Sequence, residues 1–368
     1  MSYREIITNF AVTIKTEHMD QNLIALAFKL RDARMWETLS DSDIYAVRLR
    51  SGETAYCCIM GNSGQHFGLG IYVGVAGWNT YLRFGEMDAL DNKLELHQMM
   101  CTKLDCINCD FMPESLVEAS EEKSAVIAYA KEHALLDRRG VGIPEFTRYA
   151  PYLAPGPVVD AEDLAVTEET LSASLYLARL IKKQYYVSLG FLPEGIHPSP
   201  IGGQIIPMLV PDGKKGYTLT HTTLPARSAE VLPAVPIDRP ELTVQIAMLP
   251  VRSNTECRFI AIDTPVMPKG EKGYFPVTLL CVDGNTGMVS FTEIGKFDPA
   301  LTPAKTVEDF AYKMIAAKVR PSVIYVEDSF TEALLKNLCS GTGIRLQRVS
   351  RLKHLREAWT SLSEGMKR

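Results

Sequence analysis

Hydrophobic and polar positions along this chain alternate with two periods, and each change of period marks a new element. Leu23, Ile24, Ala27, Phe28 and Leu30 recur at helical spacing behind Asp20, which predicts a helix capped by that aspartate and running toward Trp36. Three β-like runs follow at 44–49, 54–60 and 66–73. Ser51-Gly52 and the stretch from Gly61 to Gly64 separate them, and such short, turn-rich separations predict an antiparallel meander. Residues 78–87 read as a short helix. From 113 an amphipathic helix passes through Ala125, Val126, Ala128 and Tyr129 to Leu136 and ends at Arg138-Arg139-Gly140. Residues 144–151, aromatic and bounded by prolines, read as a packed loop. Asp160 and Asp163 open a helix that carries Leu171, Leu175, Ala178 and Ile181 to about residue 186.

Beyond this point Pro and Gly become dense. Residues 189–200 read as a linker, and 204–210 with 216–221 as a hairpin around Asp212-Gly213. The proline-rich stretch 224–240 crosses in extended form, and 242–249 reads as an edge strand of a following sheet. Three β runs then stand at 256–263, 275–283 and 287–292, the last two joined by Asp283-Gly284-Asn285. A helix over 307–318 is expected, capped by Thr306 with Glu308 and Asp309 in its first turn. A strand at 322–326 leads to a helix from 330 to 339, opened by a Ser329-to-Glu332 capping box, with Leu334, Leu335 and Leu338 as its buried stripe. A strand at 344–349 and a helix from 352 to about 365, with Leu352, Leu355, Trp359 and Leu362 on one face, complete the chain.

The expected architecture is an α+β N-terminal domain over 1–188, a linker and hairpin over 189–241, and an α/β C-terminal domain over 242–368. The order β-β-β-α-β-α-β-α in the last part resembles the ribonuclease H-like fold of nucleases, integrases and transposases. The phrases WETLSDSDIYAVRL (36–49), AYCCIMG (55–61), RRGVGIPEFTRYAPYLAP (138–155) and FPVTLLCVDGNTGMVSF (275–291) resemble a family of uncharacterised bacterial proteins that pairs two domains of unknown function. That resemblance implies a bacterial, two-part protein and brings no catalytic residues with it.

Composition narrows the function classes. A chain of 368 residues, 46% hydrophobic, has ample core for two domains. The N-terminal MSYREIITNF has no signal-peptide core and no run is long enough to span a bilayer, so a cytoplasmic protein without membrane partners is expected. Net charge is −5, which argues against gross affinity for nucleic acid. The end of the chain departs from this. From Arg345 onward, Arg345, Arg348, Arg351, Lys353, Arg356, Lys367 and Arg368 face only Glu357 and Glu364. Arg345, Arg348, Arg351 and Arg356 are therefore the candidate nucleic-acid contacts, with a solvated helix face as the bland alternative.

Two constellations could carry metal chemistry. His97, Cys101, Cys106 and Cys109 could fill a tetrahedral zinc shell, but only the last two are spaced as a pair, and on a strand they point to opposite faces. Core cysteines are the expectation for them. Asp263 ends the first C-terminal strand, Glu327 and Asp328 end the fourth, and Glu308 starts a helix at the same edge. A two-metal nuclease would need such acids around two Mg²⁺ ions about 4 Å apart. The expected function is a non-catalytic cytosolic binding or accessory module without a cofactor, with protein or nucleic acid as the partner classes. The alternatives are a Mg²⁺-dependent nuclease or phosphodiesterase at that sheet edge, and a small-molecule site between the domains.

Overall fold

The apolar runs between 44 and 73 form a meander in the middle of a wide sheet. In the computed structural model, residues 20–87, 93–117, 120–136, 142–213, 216–233, 235–237 and 239–366 are described. The ends at Met1 and Arg368 and the expected stop at Arg138-Arg139-Gly140 lie outside them. The described residues form mixed α/β structure in two units, one of Met1–Ser228 with Met267–Gly273, the other of Ala229–Val266 with Tyr274–Arg368. No described helix is long and apolar enough to cross a membrane.

In the first unit, Asp20 caps helix α1 (Gln21–Ala33) by accepting from the Asn22 amide at 2.9 Å. Strands β1 (Tyr45–Arg48), β2 (Thr54–Met60) and β3 (Gly68–Val73) pair antiparallel, as their turns require. Helices α2 (Gly74–Phe84) and α3 (Lys93–Thr102) precede β4 (Cys106–Met112), and α4 (Glu121–Glu132) leads to β5 (Ile143–Tyr149). The helix expected from 113 thus starts later, at the Ser120 cap, whose hydroxyl accepts from the Lys123 amide.

The stretch 144–151 is not a loop but most of β5. Phe146 is buried and faces Cys109 across the sheet. Pro144 is tolerated because the next strand, β6 (Gly156–Pro157), reaches only Thr147 and Arg148, so no ladder bond is asked of the missing N–H. Helix α5 (Ala161–Ile181) follows. Its Leu171, Ala173 and Leu177 pack with α1 and one face of the sheet, together with Tyr45, Val47, Cys57 and Cys109. The other face carries Ile44, Ala46, Tyr56, Cys58 and Cys106 against Trp78 and Leu82 of α2. A sheet covered on both faces explains why its strands read as nearly continuous apolar runs.

The hairpin of β7 (Ile205–Pro211) and β8 (Tyr217–Thr223) belongs to this sheet rather than to a linker. Its β7 pairs parallel with β1, giving the order β6-β5-β4-β3-β2-β1-β7-β8. The extended chain after it stays on the first unit: Trp78 Nε1 donates to the Pro225 carbonyl at 2.9 Å, and Asn79 Nδ2 to the Ser228 hydroxyl. These bonds carry the unit to Ser228, beyond the expected linker at 189–200.

In the second unit, residues 242–249 form most of helix α6 (Pro240–Ala247) and not the expected edge strand. Proline at the first helical position is pre-set for helix, and Leu242 and Ile246, one turn apart, are its buried pair. The meander is β9 (Asn254–Ala261), β10 (Val277–Asp283) and β11 (Val289–Phe291). Helix α7 (Thr302–Ala317), strand β12 (Val323–Val326), helix α8 (Ser329–Thr342), strand β13 (Arg345–Arg348) and helix α9 (Lys353–Met366) follow. The sheet order is β11-β10-β9-β12-β13; β10 runs antiparallel to both its neighbours, while β12 runs parallel to β9 and β13.

Two caps differ from expectation. Helix α7 begins four residues before Thr306, so Thr306, Glu308 and Asp309 lie inside it; the Thr302 hydroxyl instead accepts from the Asp298 amide. Asp328, not Ser329, caps α8. Its two oxygens accept from the Thr331 amide at 2.8 Å and the Thr331 hydroxyl at 2.7 Å.

Candidate functional site: the carboxyl edge of the second sheet

Parallel pairing brings the ends of β9 and β12 side by side, and register decides which side chains meet there. Val323 is level with Asn254, Ile324 with Thr255 and Tyr325 with Glu256. Continuing this register places Asp328 level with Phe259, and the Phe259 amide indeed donates to Thr331 on the turn after Asp328. Asp263 lies four residues further along, about 13 Å at the usual strand rise. The two acids end adjacent strands but not at the same height.

What fills the edge is an ion-paired cluster. Glu327 and Arg258, each 4% exposed, form a buried ion pair. Arg356 of α9 adds a second cation, its Nη2 being 3.1 Å from Glu327 Oε2. The same oxygen accepts from the Leu352 amide at 3.0 Å, and Glu256 Oε2 accepts from the Leu355 amide at 2.7 Å. The orphan amides at the start of α9 are thus held by carboxylates from β12 and β9, which the helix dipole also favours. Arg258 Nε lies 3.9 Å from Asp328 Oδ2. A buried carboxylate needs a compensating charge, and here two guanidinium groups supply it.

The other predicted acids are engaged elsewhere. Glu308 pairs with Arg239 at 3.0 Å. Asp283 anchors its hairpin turn, where bonds led by that from the Ser253 hydroxyl hold its carboxyl below the usual range. Among the described residues no three His, Cys, Asp or Glu stand close enough to hold a metal ion. Cys106 and Cys109 lie in cores on opposite faces of the first sheet, and burial pushes both thiols up. His97 and Cys101 are on α3, off the strand that carries the pair. Purified protein is therefore expected to carry no zinc; elemental analysis finding one per chain, lost in Cys106→Ser, would contradict this. Of the four candidate arginines, Arg345, Arg348 and Arg351 are exposed, whereas Arg356 is committed to Glu327.

Two features escaped the sequence reading. Arg258 is the centre of the cluster, and its signal was present: the one basic residue in the run 256–263 must find a partner when buried. The second lies in the first unit. Asp110 of β4 stands directly opposite Glu145 of β5. Burial, and then the Glu145 charge, push the Asp110 carboxyl up to about 7, and Glu122 of α4 is pushed up to about 7 by the same causes. Neither local periodicity nor spacing shows that these acids meet.

Comparison with known proteins agrees with a two-part chain. Residues 21–190 match a domain of unknown function (DUF7309), and residues 245–363 match a second domain of unknown function (DUF6930). No curated protein matches. Among solved structures, a chain of the cryo-EM structure of a simian T-cell lymphotropic virus intasome in complex with the PP2A regulatory subunit B56 gamma is 14% identical, with a TM-score of 0.23. The likeness covers 37% of this chain and 43% of that one.

Proposed function

We propose that this chain is a non-catalytic binding or accessory module of the cytoplasm, and that its second unit is a ribonuclease H-like domain without a nuclease site. The strand order with an antiparallel second strand and parallel β9, β12 and β13 supports the fold reading. The eight cysteines, all free and buried, fit a reducing compartment.

One observation carries the functional reading: Glu327, the carboxylate at the end of β12, is already neutralised by Arg258 and Arg356. Two guanidinium groups stand where a nuclease would need open coordination positions, and Asp328 is a helix cap. The residues present do not fit a pair of Mg²⁺ ions, which demand several converging oxygens and room for water. Single- and double-stranded DNA and RNA should therefore stay intact with Mg²⁺ or Mn²⁺. Cleavage that Asp263→Asn or Asp328→Asn abolishes, with the fold kept, would overturn the reading.

A second reading keeps the module non-catalytic and gives it nucleic acid as partner. It is supported by the exposed cations Arg345 and Arg348 on β13, Arg351 on the turn after it and Lys353 at the start of α9. Phosphate contacts make affinity fall steeply with salt. Anisotropy titrations of a labelled oligonucleotide at low salt should then show binding that Arg345→Glu with Arg351→Glu removes; no binding at low salt would exclude this reading.

A further inference from the structure

The two edges of the second sheet are built differently. The outer strand β13 carries Arg345 and Arg348, both exposed, and charged side chains are a standard guard against strand addition. The opposite edge, β11, has no such guard. Between Met288 and Ile294 the one charged residue is Glu293, and Lys305 of α7 neutralises it at 2.9 Å. Met288, Val289 and Ile294 are 71%, 39% and 59% exposed. The segment is pinned at both ends: the Met288 carbonyl accepts from the Asp283 amide, and Gly295 bridges to Val277. It is thus a held edge rather than a loose loop.

This edge opens onto a groove of about 720 Å³, whose other wall is Asp309, Tyr312, Lys313 and Ala316 of α7. The groove follows the chain from Val289 to Glu293, five residues, or about 16 Å at the strand rise. Its charges are uneven. Asp309, like Glu293, is paired with Lys305, while Lys313 has no ion-pair partner among the described residues. The groove thus joins a strand edge, with Val289 and Phe291 as its apolar lining, to one uncompensated cation.

We propose that this groove takes an extended segment of a partner protein, added as a strand alongside β11, with alternate apolar side chains directed into the groove and one carboxylate set against Lys313. Main-chain bonds along an edge give such complexes affinity and the side-chain pockets give specificity. The proposal rests on the reading that the second unit binds rather than cleaves, and names the class of what it binds.

The test uses the full-length chain and a phage-displayed library of random octapeptides. Selected peptides should share alternating apolar residues with one Asp or Glu. Their affinity, measured by fluorescence anisotropy, should fall at least tenfold in Ala316→Trp, which fills the groove. Lys313→Glu should reverse the preference, so that a peptide carrying Lys in place of its acid binds better than the parent. Lys313 and Ala316 are exposed helix positions, so both variants leave the core intact. Arg345→Glu on the far edge should change nothing. An empty selection, peptides indifferent to Ala316→Trp and Lys313→Glu, or a dimer of the chain that Ala316→Trp abolishes would each overturn the proposal. None of these outcomes alters the nuclease result, so the two readings fail separately.

Discussion

Glu327→Ala is expected to destabilise the second unit by about 3–5 kcal/mol, the size typical of breaking a buried ion pair from one side. The loss would come from Arg258, left 4% exposed without its main counter-charge, and from the Leu352 amide, left without its acceptor. The sign separates the two readings of this edge. A carboxylate kept for metal binding sits among like charges, and its removal in the absence of metal relieves repulsion and raises stability. A carboxylate kept for structure does the opposite. Urea unfolding followed at Trp359, the one tryptophan of this unit, measures the difference. A double-mutant cycle with Arg258→Met should recover much of the loss, because replacing both members of a buried pair is far milder than removing one. Equal stability of wild type and Glu327→Ala would show that the pair does not hold α9 to the sheet.

Asp110→Asn is expected to stabilise the first unit at pH 8 and to leave it nearly unchanged at pH 4. The carboxyl is raised in the folded state from 3.8 to about 7, so between those values the folded chain binds a proton that the unfolded chain has released. Its contribution is therefore harmless below pH 4 and becomes fully unfavourable above pH 7. A rise of that size is equivalent to about 4 kcal/mol. Asp110 is only half-buried, and solvent screening makes about 2 kcal/mol the better expectation. Burial sets most of this penalty; Glu145 across the strand pair adds to it, and Asn108 on its own strand lowers it through a hydrogen bond. Glu122→Gln should act in the same direction. Unfolding curves at the two pH values decide the matter; equal effects of Asp110→Asn at both would refute the assignment.

Local chemistry was legible in the sequence wherever the decisive neighbours were a few residues apart. The Asp20 cap, the meander turns between 49 and 68, the Asp212-Gly213 hairpin and the helical stripe of Leu334, Leu335 and Leu338 all depend on contacts within one turn or one strand pair. The misread helix at 240–247 was also local. Its Val, Ile and Leu suggested a strand, although Pro240 and the Leu242–Ile246 spacing already favoured a helix. Strand phase alone sufficed to separate Cys106 from Cys109, because side chains on a strand alternate whatever the strand packs against.

Tertiary structure decided everything that depends on how far one strand runs past its neighbour. The ends of β9 and β12 could be named from the sequence, but their register could not, and the register places Asp263 four residues beyond Asp328. It also sets Arg258 level with Glu327, making the acidic edge an ion-paired joint rather than an open ligand set. The same holds for Asp110 and Glu145, and for the hairpin whose strand joined β1 in parallel, some 160 residues away in the chain. Side chains with a period of two reveal which face a strand buries, whereas the height at which two distant strands meet is set by the packing of the whole sheet and its covering helices.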